Sequence, residues 1–154
     1  MRDAFCRTVT KLGVAATAAI ALVVGAQLVP VPRTSPAIQA DVAAPTQIDA
    51  LLRRACYDCH SRETAWPWYS RVAPVSWLVV HDVAEGRRAL DFSAWDAYDP
   101  AQRAKNLRES ADEIAEGEMP PWHYRLVHAD ARLTAAEREA LRAWCAAEIV
   151  RLGG

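Results

Sequence analysis

The stretch Cys56-Tyr57-Asp58-Cys59-His60 constrains this chain more than any other. On a helix, thiols at i and i+3 face one side, and the next residue brings an imidazole to the same turn. Three ligating side chains within five residues suit a metal site, a redox pair or the attachment point of a planar cofactor. Zinc wants a second pair of Cys or His ligands at short spacing. Cys145 stands alone, and His81, His123 and His128 are not clustered as a knuckle. A thioredoxin-like pair needs a preceding strand in a βαβ context, and none is evident. The spacing that remains is C-x-x-C-H, in which Cys56 and Cys59 reach the two vinyl groups on one porphyrin edge and His60 ligates the iron from below. The reading is one covalently held haem c.

Thioether attachment belongs to exported proteins, and the N-terminus fits export. Arg2, Arg7 and Lys11 precede an uncharged stretch from Leu12 to Pro32, close to the ~20 residues that cross a bilayer as a helix. The basic flank puts the N-terminus in the cytoplasm and everything after Arg33 outside. The preferred expectation is therefore an uncleaved transmembrane anchor in the bacterial cytoplasmic membrane, with the haem domain on its periplasmic, extracytoplasmic side. The rival is a signal peptide cleaved after Ala40. Cys6 falls on the cytoplasmic side as a spare thiol. Pro30, Pro32, Pro36 and Pro45 then disfavour helix and sheet and favour an extended tether. The organisation expected is an anchor over 1–33, a tether over 34–45 and a haem-binding domain over 46–154.

The 154 residues suffice for one core plus an appendage. A formal charge of −1 without a basic stripe argues against nucleic acid as partner. Beyond the tether the pattern is helical, with no sustained alternation to suggest a sheet. Thr46 with Asp49 resembles an N-terminal cap for a helix leading into Cys56. Helices follow over Val75–Leu90 and over Ala101–Glu116, the latter stopping at Gly117. Thr134 and Glu137 form a capping box behind Leu133, with Leu141, Trp144, Ala147 or Glu148, and Ile149 following at turns of the helix. The fold class is all-α.

Several blocks occur in order: C-x-x-C-H, then Trp66-Pro67-Trp68-Tyr69-Ser70, Pro74-x-Ser76-Trp77, Phe92-Ser93-x-Trp95 and Gly117-Glu118-Met119-Pro120. With them, nearly everything from Cys56 to Trp144 resembles the bacterial haem-binding domain family of small exported monohaem c-type proteins. That resemblance implies haem binding and electron transfer but names no redox partner. The architecture also resembles class I cytochromes c, whose first and last helices cross; here those would be Thr46 to Cys59 and Thr134 to Leu152.

Trp66, Trp68, Tyr69, Trp77 and Trp122 have two readings: they fill a small core, or several pack on porphyrin with an indole N–H, Tyr69 or Arg71 near a propionate. Pro74 also has two. By analogy with class I cytochromes c its carbonyl accepts the Nδ1 proton of His60, or it merely starts the next helix. The sixth iron ligand is placed at Met119, presented from a loop stiffened by Pro120 and Pro121. His81 is the main alternative, followed by His128 and His123. The expected function is single-electron transfer by a membrane-anchored cytochrome that catalyses no bond chemistry. The alternatives are a small peroxidase-like enzyme, with His81 or His123 as distal acid or base, and a haem sensor or assembly subunit of a respiratory complex.

Overall fold

The structure, a computed structural model, describes residues 2–153, with the side chains of 2–10 and of residue 12 left out; Cys6 thus lies outside the described side chains. Among the described residues there is no strand, only a parallel bridge between Ala40 and Ala94. The helices are α1 (Arg2–Ala26), α2 (Thr46–Ala55), α3 (Tyr57–His60), α4 (Val75–Ala89), α5 (Pro100–Glu116), α6 (Trp122–Val127) and α7 (Ala135–Arg151). The chain divides into two compact units, one of residues 1–33 and 66–81, the other of 34–65 and 82–154.

The larger unit is built on α5, α7 and α2, with α5 against α7 as its most extensive helix pair. Its core joins Leu52, Leu107, Ile114, Leu141, Trp144 and Cys145, all buried. Local chemistry sets the ends of these helices. Asp99 caps α5 by accepting from the Gln102 amide at 2.8 Å, Pro100 occupies the first turn, and Gly117 ends the helix in the left-handed region at φ 78°. Thr134 and Glu137 close a reciprocal capping box on α7. The cap expected at Thr46 is not formed: Pro45 occupies that position, and Asp49 instead binds Arg53 one turn on.

Residues 34–45 are extended but do not form a free tether. The prolines lack amide donors, yet the amides between them find acceptors: Gln39 and Ala40 donate to the Ser93 carbonyl and Val42 to that of Phe92. Arg62 and Arg87 donate to the carbonyls of Ala37 and Thr34, and Val42 is buried.

In the smaller unit, the Gln27 side chain exchanges two hydrogen bonds with the backbone of Ala73, at 3.0 and 3.1 Å, and Arg33 donates to the Ser70 carbonyl. Here the expected membrane span is corrected. Among the described residues no helix is long and apolar enough to cross a membrane. The helix ends at Ala26 and leaves Gln27–Pro32 outside it, so the uncharged part, Leu12–Ala26, reaches only about 22 Å of the ~30 Å hydrocarbon core.

Candidate functional site

Cys56 interrupts what the sequence suggests is one helix. It carries φ −125° and ψ −35° between α2 and α3, and its carbonyl accepts from the amides of Cys59 and His60 at 3.1 and 2.9 Å. The result is a single tight turn that presents both thiols and the imidazole. α4 approaches this turn at Gly86, where an added Cβ would lie 2.6 Å from the Cys59 carbonyl oxygen. Only glycine allows that approach. Arg87, next in α4, donates to the Ser61 carbonyl and to Thr64 Oγ1, both at 2.7 Å, and so clamps the chain leaving His60.

The imidazole is oriented from the other side by residues Leu90–Ser93. His60 Nδ1 donates to the Leu90 carbonyl at 3.1 Å, the Phe92 amide donates to the His60 carbonyl at 2.7 Å, and the Phe92 ring meets the imidazole edge-on. This segment is itself pinned: Arg62 forms a partly buried ion pair with Asp91 at 2.8 Å and donates its amide to Ser93 Oγ. The Nδ1 acceptor is therefore Leu90 and not Pro74. With Nδ1 protonated, Nε2 carries the lone pair and is the ligating nitrogen. Withdrawal from water lowers the His60 pKa and keeps the ring neutral. The same desolvation pushes the Cys56 and Cys59 thiols up to about 12.

Cys56, Cys59 and His60 line a cavity of about 660 Å³ in the larger unit, within the roughly 300–1,000 Å³ of pockets that enclose small molecules. Apolar walls come from Leu52, Phe92, Leu107, Leu141 and Trp144, and Met119 also lines it. So does Cys145, whose thiol burial pushes up to about 12. Acidic side chains are prominent, among them Asp58, Asp82, Glu85, Glu109, Glu113 and Glu116. Two are bound by neighbours on α6: Tyr124 donates to Asp58 at 2.7 Å, and His123 Nε2 lies 2.9 Å from Asp82. The Tyr124 hydroxyl is raised above its ordinary pKa by burial and then by Asp58. Among the described residues no group of three or more His, Cys, Asp or Glu is placed to hold a metal ion by itself.

The structure brings Cys56, Cys59, His60 and Met119 to one cavity, but not the aromatic set expected to wall it. Trp66, Trp68, Tyr69, Arg71, Pro74 and Trp77 do not line it and fall in the other unit. Trp68 is 76% and Trp122 67% exposed, and Trp122 also lies off the cavity. His81 is exposed and does not line it, nor does His128, whereas His123 does line it. Sequence reasoning missed Gly86, Leu90, Asn106 and Tyr124. Gly86, a glycine within a helical pattern, is the one that left a trace.

The model of a family described as a haem-binding domain matches residues 21–147. No curated protein and no solved structure matches the chain. The cavity suits the group this family takes: a largely apolar enclosure, a neutral imidazole with its Nε2 available, and two thiols on the same helical turn. The chain belongs to the haem-binding domain family.

Proposed function

We propose that this member of the haem-binding domain family is a monohaem c-type cytochrome that carries single electrons outside the cytoplasmic membrane. In this reading Cys56 and Cys59 hold the haem by thioethers, His60 is the proximal ligand and Met119 the distal one. Bound haem supplies the one-electron chemistry; the chain supplies the ligands, fixes the His60 tautomer through Leu90 and keeps bulk water from the site. The observation that carries the reading is the pre-set His60 ring beside two thiols on a cavity wall. Met119 is favoured over His81 because it lines that cavity and His81 does not. A saturated iron suits electron transfer, whereas a peroxidase or sensor needs an open position.

The first 33 residues serve here as an export segment, because their basic start and uncharged run suit translocation. Expression without them is expected to yield haem-free protein. The test of function is the absorption spectrum of the reduced protein with and without carbon monoxide. Indifference to carbon monoxide is expected, and rapid binding would replace electron transfer with an enzyme or sensor.

A further inference from the structure

Two side chains tie α6 to other elements of the cavity. The Tyr124 hydroxyl donates to Asp58 Oδ2 at 2.7 Å, and His123 Nε2 meets Asp82 Oδ2 at 2.9 Å. A carboxylate only accepts, so Nε2 of His123 carries a proton there. All four residues line the cavity. Asp58 stands between Cys56 and Cys59 in the turn that presents the thiols, and Asp82 stands one helical turn before Gly86 on α4. Asp58 is itself set. Its Oδ1 accepts from the Ala65 amide at 2.9 Å and its carbonyl from Thr64 Oγ1 at 2.8 Å, which leaves Oδ2 for Tyr124.

The segment between Gly117 and α6 has fewer ties of its own. Glu118 and Met119 both donate to the Glu113 carbonyl, and Pro120 and Pro121 have no amide to donate. Those prolines also fix φ, so a displacement of α6 is passed back to Met119, four residues before His123. We propose that Tyr124 and His123 are positioning residues: through Asp58 and Asp82 they latch α6 to the thiol-bearing turn and to α4, and so hold Met119 in place as iron ligand. This rests on the haem reading and on the Met119 assignment above. The Asp58 bond is the more direct of the two, because it joins the turn that carries the thiols to the helix that follows the methionine. The Asp82 bond also takes His123 out of contention as a ligand through Nε2, whose lone pair is replaced by a proton.

In the reduced holoprotein at saturating carbon monoxide, the binding rate reports how often the sulfur leaves the iron. Tyr124→Phe, which keeps the ring stacked 4.0 Å from His128, should raise that rate about tenfold, as for loss of a hydrogen bond to a charged group. His123→Phe should raise it about threefold, because its pair is about a third exposed, and His123→Gln, which still has a donor for Asp82, should stay near wild type. In the haem-free chain, amide exchange over residues 118–127 should quicken about tenfold in Tyr124→Phe while that over α7 is unchanged. A residue that only supported the fold would speed exchange in α7 as well and leave the carbon monoxide rate alone. Circular dichroism and the haem retained per chain establish that each variant is folded and loaded, and His123→Phe carries the test if Tyr124→Phe does not fold. Wild-type rates in the folded variants, with Met119→Ala opening the iron, overturn the latch alone. If Met119→Ala leaves carbon monoxide binding unchanged, the sulfur is not the ligand, and the Met119 assignment falls together with the latch.

Discussion

His60 is held by its ring, its amide and its carbonyl, to Leu90, Cys56 and Phe92 respectively. Met119 is half-buried in a short loop between Gly117 and Pro120, and its amide reaches the Glu113 carbonyl at a longer 3.3 Å. Both line the same cavity. The difference teaches that the His60 side of the cavity is built from the protein's own backbone groups, which must pair when buried. The Met119 side is a short loop whose residues Glu118 and Met119 share a single carbonyl acceptor, Glu113, so fewer backbone bonds fix it.

The largest effect that sharpens this contrast comes from His60→Ala. It removes the ligand and the ring packed on Phe92, and should lower the haem retained per chain by at least about tenfold, read from the haem-to-protein absorbance ratio. Unchanged haem content would break the asymmetry at once. Gly86→Ala comes next. Its Cβ would press on the backbone of Cys59, which should cost about 1–3 kcal/mol and lower the thermal midpoint by several degrees. A midpoint equal to wild type would mean the proximal wall is not tightly packed.

Met119→Ala should do less to stability, with an apoprotein midpoint within a few degrees of wild type, yet convert the reduced holoprotein to one that binds carbon monoxide. If it disturbs folding as strongly as Gly86→Ala, the distal loop is not the looser side. The smallest effect concerns a site remote from both ligands. Glu137 is held down to about 2 by the Thr134 amide, then by Arg54 and the Thr134 hydroxyl. A depressed carboxyl contributes stability above its unfolded pKa of 4.5 and loses it as pH falls toward 2. The stability difference between wild type and Glu137→Gln should therefore be constant at neutral pH and vanish across that acidic window; a difference independent of pH down to 2 would contradict it.

Much of the frame could be read from the chain. The capping box at Thr134, the stop at Gly117 and the all-α class follow from local rules in which a side chain answers the backbone a few residues away. The thiols and imidazole of Cys56–His60 were visible for the same reason. The acceptor for His60 was not, because Leu90 acts through its carbonyl, which every residue carries. The dense tryptophan run beside the ligand motif suggests a wall, but none of its members lines the cavity, which takes Trp144 from the last helix. Residues 34–45 misled in another way. Proline content argues against regular structure, not against docking, and Gln39, Ala40 and Val42 dock through their amides.

The central claim is that Cys56, Cys59 and His60 hold one haem covalently in this cavity. It is tested most directly by denaturing the purified protein, extracting with acid acetone and recording the pyridine haemochrome spectrum of the residual polypeptide. The account predicts that haem stays with the chain, one per polypeptide, and that the Cys56→Ala, Cys59→Ala double variant releases all of it. Complete extraction of haem from the wild-type chain would contradict it.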